Sequence, residues 1–196
     1  MTSPRQSFET ERIGTWAGTS GFGWAPFPDE SWFRQWEPYD TISPPGHYVH
    51  SVTRMSPHGP YVCVEPWYAS DLDSEPLERT ILGYATHPGM MHRAAMRVGE
   101  HFLTRVAFIE SSPPPKVAIG EKLWDQHVTT FAASGSEAAR AFPPRLRHLL
   151  ASWGFQGHLE VRPGGLAVYM TGLRPVVEHY QRMFGITREI LHAIVG

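Results

Sequence analysis

The chain closes on a long amphipathic stripe that only a packed partner surface can shield from water. Val176, Tyr180, Met183, Thr187, Ile190 and Ile194 recur at helical spacing, and Val177, Phe184 and Leu191 widen the stripe. Pro175 suits the start of such a helix. Gly185 interrupts it at a cost of about 1 kcal/mol relative to Ala, which points to a bend or a close helix–sheet approach. Just upstream, 157–161 and 166–170 read as two strands joined by Arg162-Pro163-Gly164-Gly165, whose glycines supply the positive φ of a hairpin turn. Leu159 and Val161 share one strand face, as do Leu166, Val168 and Met170, so the helix has an oily sheet to cover.

Before the hairpin, 128–132 reads as a strand. Ser136 is expected to cap a short helix over 137–142, with Glu137 at the positive end of its dipole. Pro143-Pro144 breaks that helix and Pro144 opens a second one. Its apolar stripe is Leu146, Leu149, Leu150 and Trp153, and Gly154 is its stop.

The first half is less regular. A short helix over 9–17 ends at Gly18, and 21–26 is turn-rich and aromatic. Asp29 caps a helix over 30–36, with Trp32, Phe33 and Trp36 on one side, placed to plug one end of a sheet. Strands are expected over 47–55 and from Tyr61 to Tyr68, around the turn Pro57-His58-Gly59-Pro60; Pro66 marks an edge or a bulge. Residues 77–84 fit strand or helix, and 90–98 has helix-forming composition. A strand over 101–109, a stiff crossover over 111–115 and a short strand over 116–119 follow. The expected fold class is α+β: a curved, mostly antiparallel sheet packed by a proline-broken helix pair and a long C-terminal helix. It forms one domain over 1–196, with an aromatic-rich segment at 1–40 and its best-defined part at 101–196.

Several of these segments together resemble soluble actinobacterial proteins of unknown function. The resemblance rests on His101-Phe102-Leu103-Thr104-Arg105-Val106-Ala107-Phe108, the proline run, Lys116-Val117-Ala118-Ile119, Trp124-Asp125, Glu137 to Leu146, Leu149-Leu150 and the glycine hairpin. The C-terminal half is also similar to a widespread bacterial domain of unknown function. This chain departs from the pattern at Pro143 and in the spacing between Trp124 and Ser136. The resemblance implies the fold and brings no catalytic residues with it.

Composition narrows the function classes. Formal charge is −2 and no basic block exists, so a nucleic-acid partner is not expected. One cysteine, Cys63, sits in the apolar run 61–64, excluding an intrachain disulfide and reading as a small core residue. The N-terminus lacks a secretory apolar core, and no apolar run approaches the roughly 18 residues that span a bilayer, so a cytoplasmic location is expected.

Motifs for chemistry are sparse. His47 and His50 would point to opposite strand faces, while His87 and His92 could converge with His101; without HExxH or CxxC runs no metal site is expected. Gly18, Gly21 and Gly23 lack phosphate-loop spacing. Asp71, Asp73 and Glu75 read as a solvated loop. No catalytic residue and no cofactor is expected.

What stands out is the aromatic content, with 7 Trp, 7 Tyr and 10 Phe, and Trp16, Trp24, Trp32, Phe33 and Trp36 crowded near the start. Such rings either cap a core or form a recognition surface. The leading expectation is a non-enzymatic interaction module that binds a protein partner or itself, with Trp24, Trp32, Phe33, Trp36, Tyr48, Trp67 and Tyr68 as interface or ligand candidates. The alternative is a small apolar ligand held in a helix-gripped sheet, lined by Tyr48, Phe102, Phe108, Tyr169 and Phe184. The third is an enzyme with a dispersed site at His101, Asp125 and His127.

Overall fold

Alternating apolar residues build one sheet, and helical stripes cover it. The structure, a computed structural model, describes residues 8–36, 44–69, 72, 76, 78–100 and 114–196. Its strands are β1 (Gly23–Ala25), β2 (His47–Ser56), β3 (Gly59–Trp67), β4 (Leu82–Thr86), β5 (Ala94–Val98), β6 (Lys116–Val117), β7 (Thr129–Phe131), β8 (Gly157–Arg162) and β9 (Gly165–Met170). They pair in the order β1-β2-β3-β4-β9-β8-β5-β7-β6. Every pairing is antiparallel, giving a curved sheet that is not closed into a barrel. The described helices are α1 (Phe8–Thr19), α2 (Glu30–Arg34), α3 (Lys122–His127), α4 (Gly135–Ala141), α5 (Pro144–Ser152) and α6 (Val177–Val195).

Period-two alternation sorts the sheet into two faces. One face presents Cys63, Ala85, Ala94, Met96, Leu159, Val161, Leu166 and Val168, and packs with residues of α1, α3, α4, α5 and α6 in the main core. From α6, Tyr180, Met183, Ile186, Ile190 and Leu191 are buried. Burying each of these side chains contributes about 1.5–3 kcal/mol. The other face presents Val62, Val64, Leu82, Tyr84 and Tyr169, and α2 lies on it through Phe33. The α+β fold with its proline-broken pair, α4 and α5, and its long final helix is as the sequence implies.

Several local expectations are corrected. Residues 94–98 form a strand, since Ala94 and Met96 are needed in the core and tertiary pairing overrides their helix propensity. Helix α3 stands where no helix was expected. It is held by the Asp125 carboxylate, which accepts from the N–H groups of Ile119 and Gly120 at 2.9 Å each. Ser134, not Ser136, caps α4 by accepting from the N–H of Glu137 at 3.2 Å. Gly23–Ala25 is a short strand inside the stretch read as turn. Helix α2 covers the second sheet face instead of plugging an end. The strand read over 101–109, most of the 111–115 crossover, and Asp71, Asp73 and Glu75 lie outside the described residues.

Pro66 falls where β3 has left β4: β4 pairs only with 61–64, while Pro66 still faces Tyr48 of β2. A missing N–H is harmless on that open side. The close helix–sheet approach is made by Gly83 of β4, where an added Cβ would collide with Thr187 and Met183 of α6. At Gly185 an added Cβ meets nothing within 4 Å. Gly83→Ala is therefore expected to destabilise the fold by about 1–3 kcal/mol. Gly185→Ala should stabilise it by up to about 1 kcal/mol. Chemical denaturation of the two variants checks the opposite signs.

Candidate functional site

Strand β2 slips register between Val49 and Val52, and the inserted residue His50 takes φ +55°. This is a left-handed conformation that histidine adopts only when its surroundings over-determine it. Four interactions do so. The His50 N–H donates to the Pro26 carbonyl at 2.9 Å, and the His50 carbonyl accepts from the Tyr180 hydroxyl at 2.8 Å. His50 Nδ1 lies 2.8 Å from Glu65 Oε2. The Trp24 indole stacks on the imidazole at 5.9 Å between centroids.

Glu65 is the centre of this network. It is 0% exposed on the helix-covered face of β3. Arg79 grips it from the β3–β4 connection, Nε at 2.6 Å from Oε1 and Nη2 at 2.8 Å from Oε2. Burial pushes the Glu65 carboxyl upward, but the hydrogen bonds from Arg79 and His50 outweigh it and hold the group below its ordinary value. The same bond to Glu65 raises Arg79 against its partial burial. Burial, then the Glu65 charge, lifts the Tyr180 hydroxyl well above its usual range. Cys63, also buried here, has its thiol pushed well up by burial, which removes the reactive thiolate. The network is closed on itself and works as a brace.

An open groove lies at the adjoining end of the sheet. Its volume is about 560 Å³, and it runs between the end of α1, the β2–β3 hairpin and the middle of α6. Trp16, Phe22, Tyr61 and Phe184 give it an aromatic lining. Phe22 bridges the two walls, its centroid 5.0 Å from Trp16 and 5.1 Å from Phe184. Met55, 71% exposed, stands at the mouth. Arg54 of β2 and Arg188 of α6 complete the rim, and the Arg54 guanidinium lies 5.9 Å from the Phe22 centroid. Burial pushes the Tyr61 hydroxyl up, while Arg188 and Arg54 pull it down, so both cations reach this wall.

A second cavity of about 550 Å³ lies between α3 and α5, lined by Met96, Trp124, Leu150 and Phe155 among others. Its rim charge is internally matched, because Arg147 Nε donates to Glu121 Oε2 at 2.7 Å. Trp124 itself donates to Thr130 Oγ1 at 2.9 Å.

The sequence candidates divide among these places. Trp24 belongs to the brace, between Gly14 of α1 and His50. Trp32, Phe33, Trp36 and Tyr48 lie on the second sheet face: Phe33 stacks on Tyr48 at 4.8 Å, and Trp32 meets Trp36 at 6.1 Å. The Trp36 ring rests against the β8–β9 turn at Gly164 and Gly165. Trp67 and Tyr68 are buried. Tyr48 and Tyr169 share this second face, whereas Phe184 lines the groove on the helix side, so these three do not form one pocket. Phe102 and Phe108 lie outside the described residues.

The histidines disperse. His47 Nδ1 sits 3.0 Å from Glu30, His92 Nδ1 sits 3.3 Å from Glu137, and the His87 ring lies 4.5 Å from His58. Among the described residues no group of three or more His, Cys, Asp or Glu could hold a metal ion. Of the dispersed enzyme set, the Asp125 carboxylate is occupied by two backbone N–H groups, His127 is exposed, and His101 lies outside the described residues. No described helix is long and apolar enough to cross a membrane. Sequence reasoning missed Phe22, Arg54 and Arg188, since nothing local marks residues that meet only through the α6–hairpin packing.

No protein-family model and no curated protein matches this chain. Among solved structures it is similar to the mycobacterial trehalose monomycolate transport factor A, TtfA, at 13% identity and a TM-score of 0.59, covering 97% of each chain. At that identity the likeness is one of fold.

The depressed Glu65 carboxyl stabilises the folded state above the ordinary carboxylate range, and that contribution is lost as pH falls through its lowered folded value. Arg79→Met is expected to cost about 2–3 kcal/mol at neutral pH, below a fully buried pair because Arg79 is partly exposed. The loss should shrink as pH falls, because without Arg79 burial favours the protonated Glu65 carboxyl, whereas the wild type keeps it ionised to lower pH. Urea denaturation at a series of pH values measures it.

Proposed function

We propose that this protein is a non-catalytic binding protein for a small apolar, lipid-like molecule, held in the groove between α1, the β2–β3 hairpin and α6. The observation that carries this reading is the aromatic lining itself: rings from separate elements converge on one open space, and Phe22 joins its walls. The volume of about 560 Å³ suits a small ligand. The groove's lining residues include no histidine, cysteine or carboxylate, so it offers apolar contact without the usual acid–base partners. A fold shared with a protein named for trehalose monomycolate transport agrees with such a ligand and adds no residue-level support.

A second reading, association with a protein partner or a second copy, draws on a different feature. Among the described residues strand β1 ends the sheet, and Phe27 just beyond it is 53% exposed, which suits strand addition along that edge. Trp32 and Phe33 contribute less to such a surface, because their rings pack against Tyr84 at 5.9 and 5.5 Å.

Gly185 gives a direct test, since it lines the groove and its Cβ direction is open. The wild-type protein should bind the neutral probe N-phenyl-1-naphthylamine with enhanced fluorescence. Gly185→Leu should fold at least as stably and lose most of that signal. In a series of straight-chain alcohols competing for the groove, each added methylene should tighten binding about fourfold, from about 0.8 kcal/mol per buried CH₂. Probe binding that Gly185→Leu leaves intact would place the ligand elsewhere.

A further inference from the structure

The groove has a chemical polarity that its aromatic lining does not require. Arg54 reaches it from β2, where it faces Tyr61 across the hairpin, and Arg188 reaches it from α6. Several arginines elsewhere hold carboxylates: Arg34 holds Glu30, Arg79 holds Glu65, Arg140 holds Glu137 and Arg147 holds Glu121. Neither Arg54 nor Arg188 has a carboxylate partner among the described residues. No carboxylate lines the groove, and the nearby Glu178 of α6 pairs with Arg12 at 3.9 Å. Two unmatched cations converging on one site carry an electrostatic cost that an anion relieves. Guanidinium groups favour carboxylate and phosphate oxygens, which they can hold through paired N–H donors.

Resting on the groove reading above, we propose that the preferred ligand is a single-chain amphiphile with an anionic head, carboxylate or phosphate, held between Arg54 and Arg188 while its chain lies over Phe22, Trp16 and Phe184. Each part of the site has one task. Tyr61, Ser56 and Gln181 sit on the same lining and supply polar contacts near the head. The aromatic rings take the chain, and Phe22 serves both ends, since it faces the Arg54 guanidinium and contacts Phe184. A neutral alcohol of the same length would fill the apolar part and leave both cations unmatched.

The test uses the full chain and displacement of N-phenyl-1-naphthylamine by decanoate, decyl phosphate, decanol and inorganic phosphate. Decanoate and decyl phosphate should displace the probe at concentrations at least tenfold below decanol, and inorganic phosphate should not displace it. The double variant Arg54→Gln/Arg188→Gln should keep its thermal midpoint and lose the preference for the anionic head, read as the ratio of decanol to decanoate needed to displace the probe from that variant. Equal potency of decanoate and decanol in the wild type would overturn the headgroup assignment and leave the apolar groove standing. So would a preference that survives in the double variant. Displacement by inorganic phosphate as effective as by decanoate would make this a free-anion site and overturn the amphiphile. If the wild type fails to bind the neutral probe or any decyl compound, the groove reading itself falls, and the headgroup falls with it.

Discussion

A carboxylate with no access to water has to be matched where it stands, and Glu65 sets that condition for the helix-covered half of this protein. Charged groups taken into a core are stable only with well-placed donors. Here two side chains meet the carboxylate and a third holds one of them in place. Arg79 arrives from the connection after β3, His50 from a bulge in β2, and Tyr180 reaches over from α6 to the carbonyl of that bulge. The left-handed backbone at His50 is the local cost of aiming its ring inward, and the slip between Val49 and Val52 lets β2 resume its pairing beyond it. One charge thereby fixes the register of an outer strand, the seat of the final helix and the path of a connection.

The two sheet faces solve different packing problems. The helix-covered face uses small or thin residues beneath α6, with Gly83 admitting Thr187 and Met183 at close range. The second face is carpeted with rings, where Phe33, Tyr48 and Tyr84 stack or meet edge to face. The N-terminal aromatics are divided between these tasks: Trp24 on the brace, Trp16 and Phe22 at the groove, Trp32 and Trp36 on the second face.

Where periodicity was strong, the sequence was readable. The α6 stripe, the β8–β9 hairpin around its glycines and the break at Pro143-Pro144 follow from spacing and turn chemistry alone. Failures occurred where tertiary pairing decided the outcome. Residues 94–98 are helix formers by composition, yet β7 and β8 flank them and draw them into the sheet. Ser136 is the expected cap of α4, yet Ser134-Gly135-Ser136-Glu137 holds the S-x-x-E spacing and Ser134 takes the role, while the Glu137 carboxylate accepts from the Arg93 N–H at 3.0 Å. The sequence offers Gly185 as a bend or a close helix–sheet approach; the close approach is made by Gly83 on the facing strand. The groove was illegible for a simpler reason. Its residues are separated along the chain and each looks ordinary in its own segment.

The groove's walls differ in how they are held. The α6 wall is fastened to the sheet by the Tyr180 hydrogen bond and by the intimate seat over Gly83. The opposite wall is the last turn of α1 and a hairpin tip, and α1 keeps its place through Ile13 and Ala17 in the core and Gly14 against Trp24. The width of the groove is therefore set from inside the core: a change at Ile13 or Ala17 would displace one wall and a change at Gly83 the other.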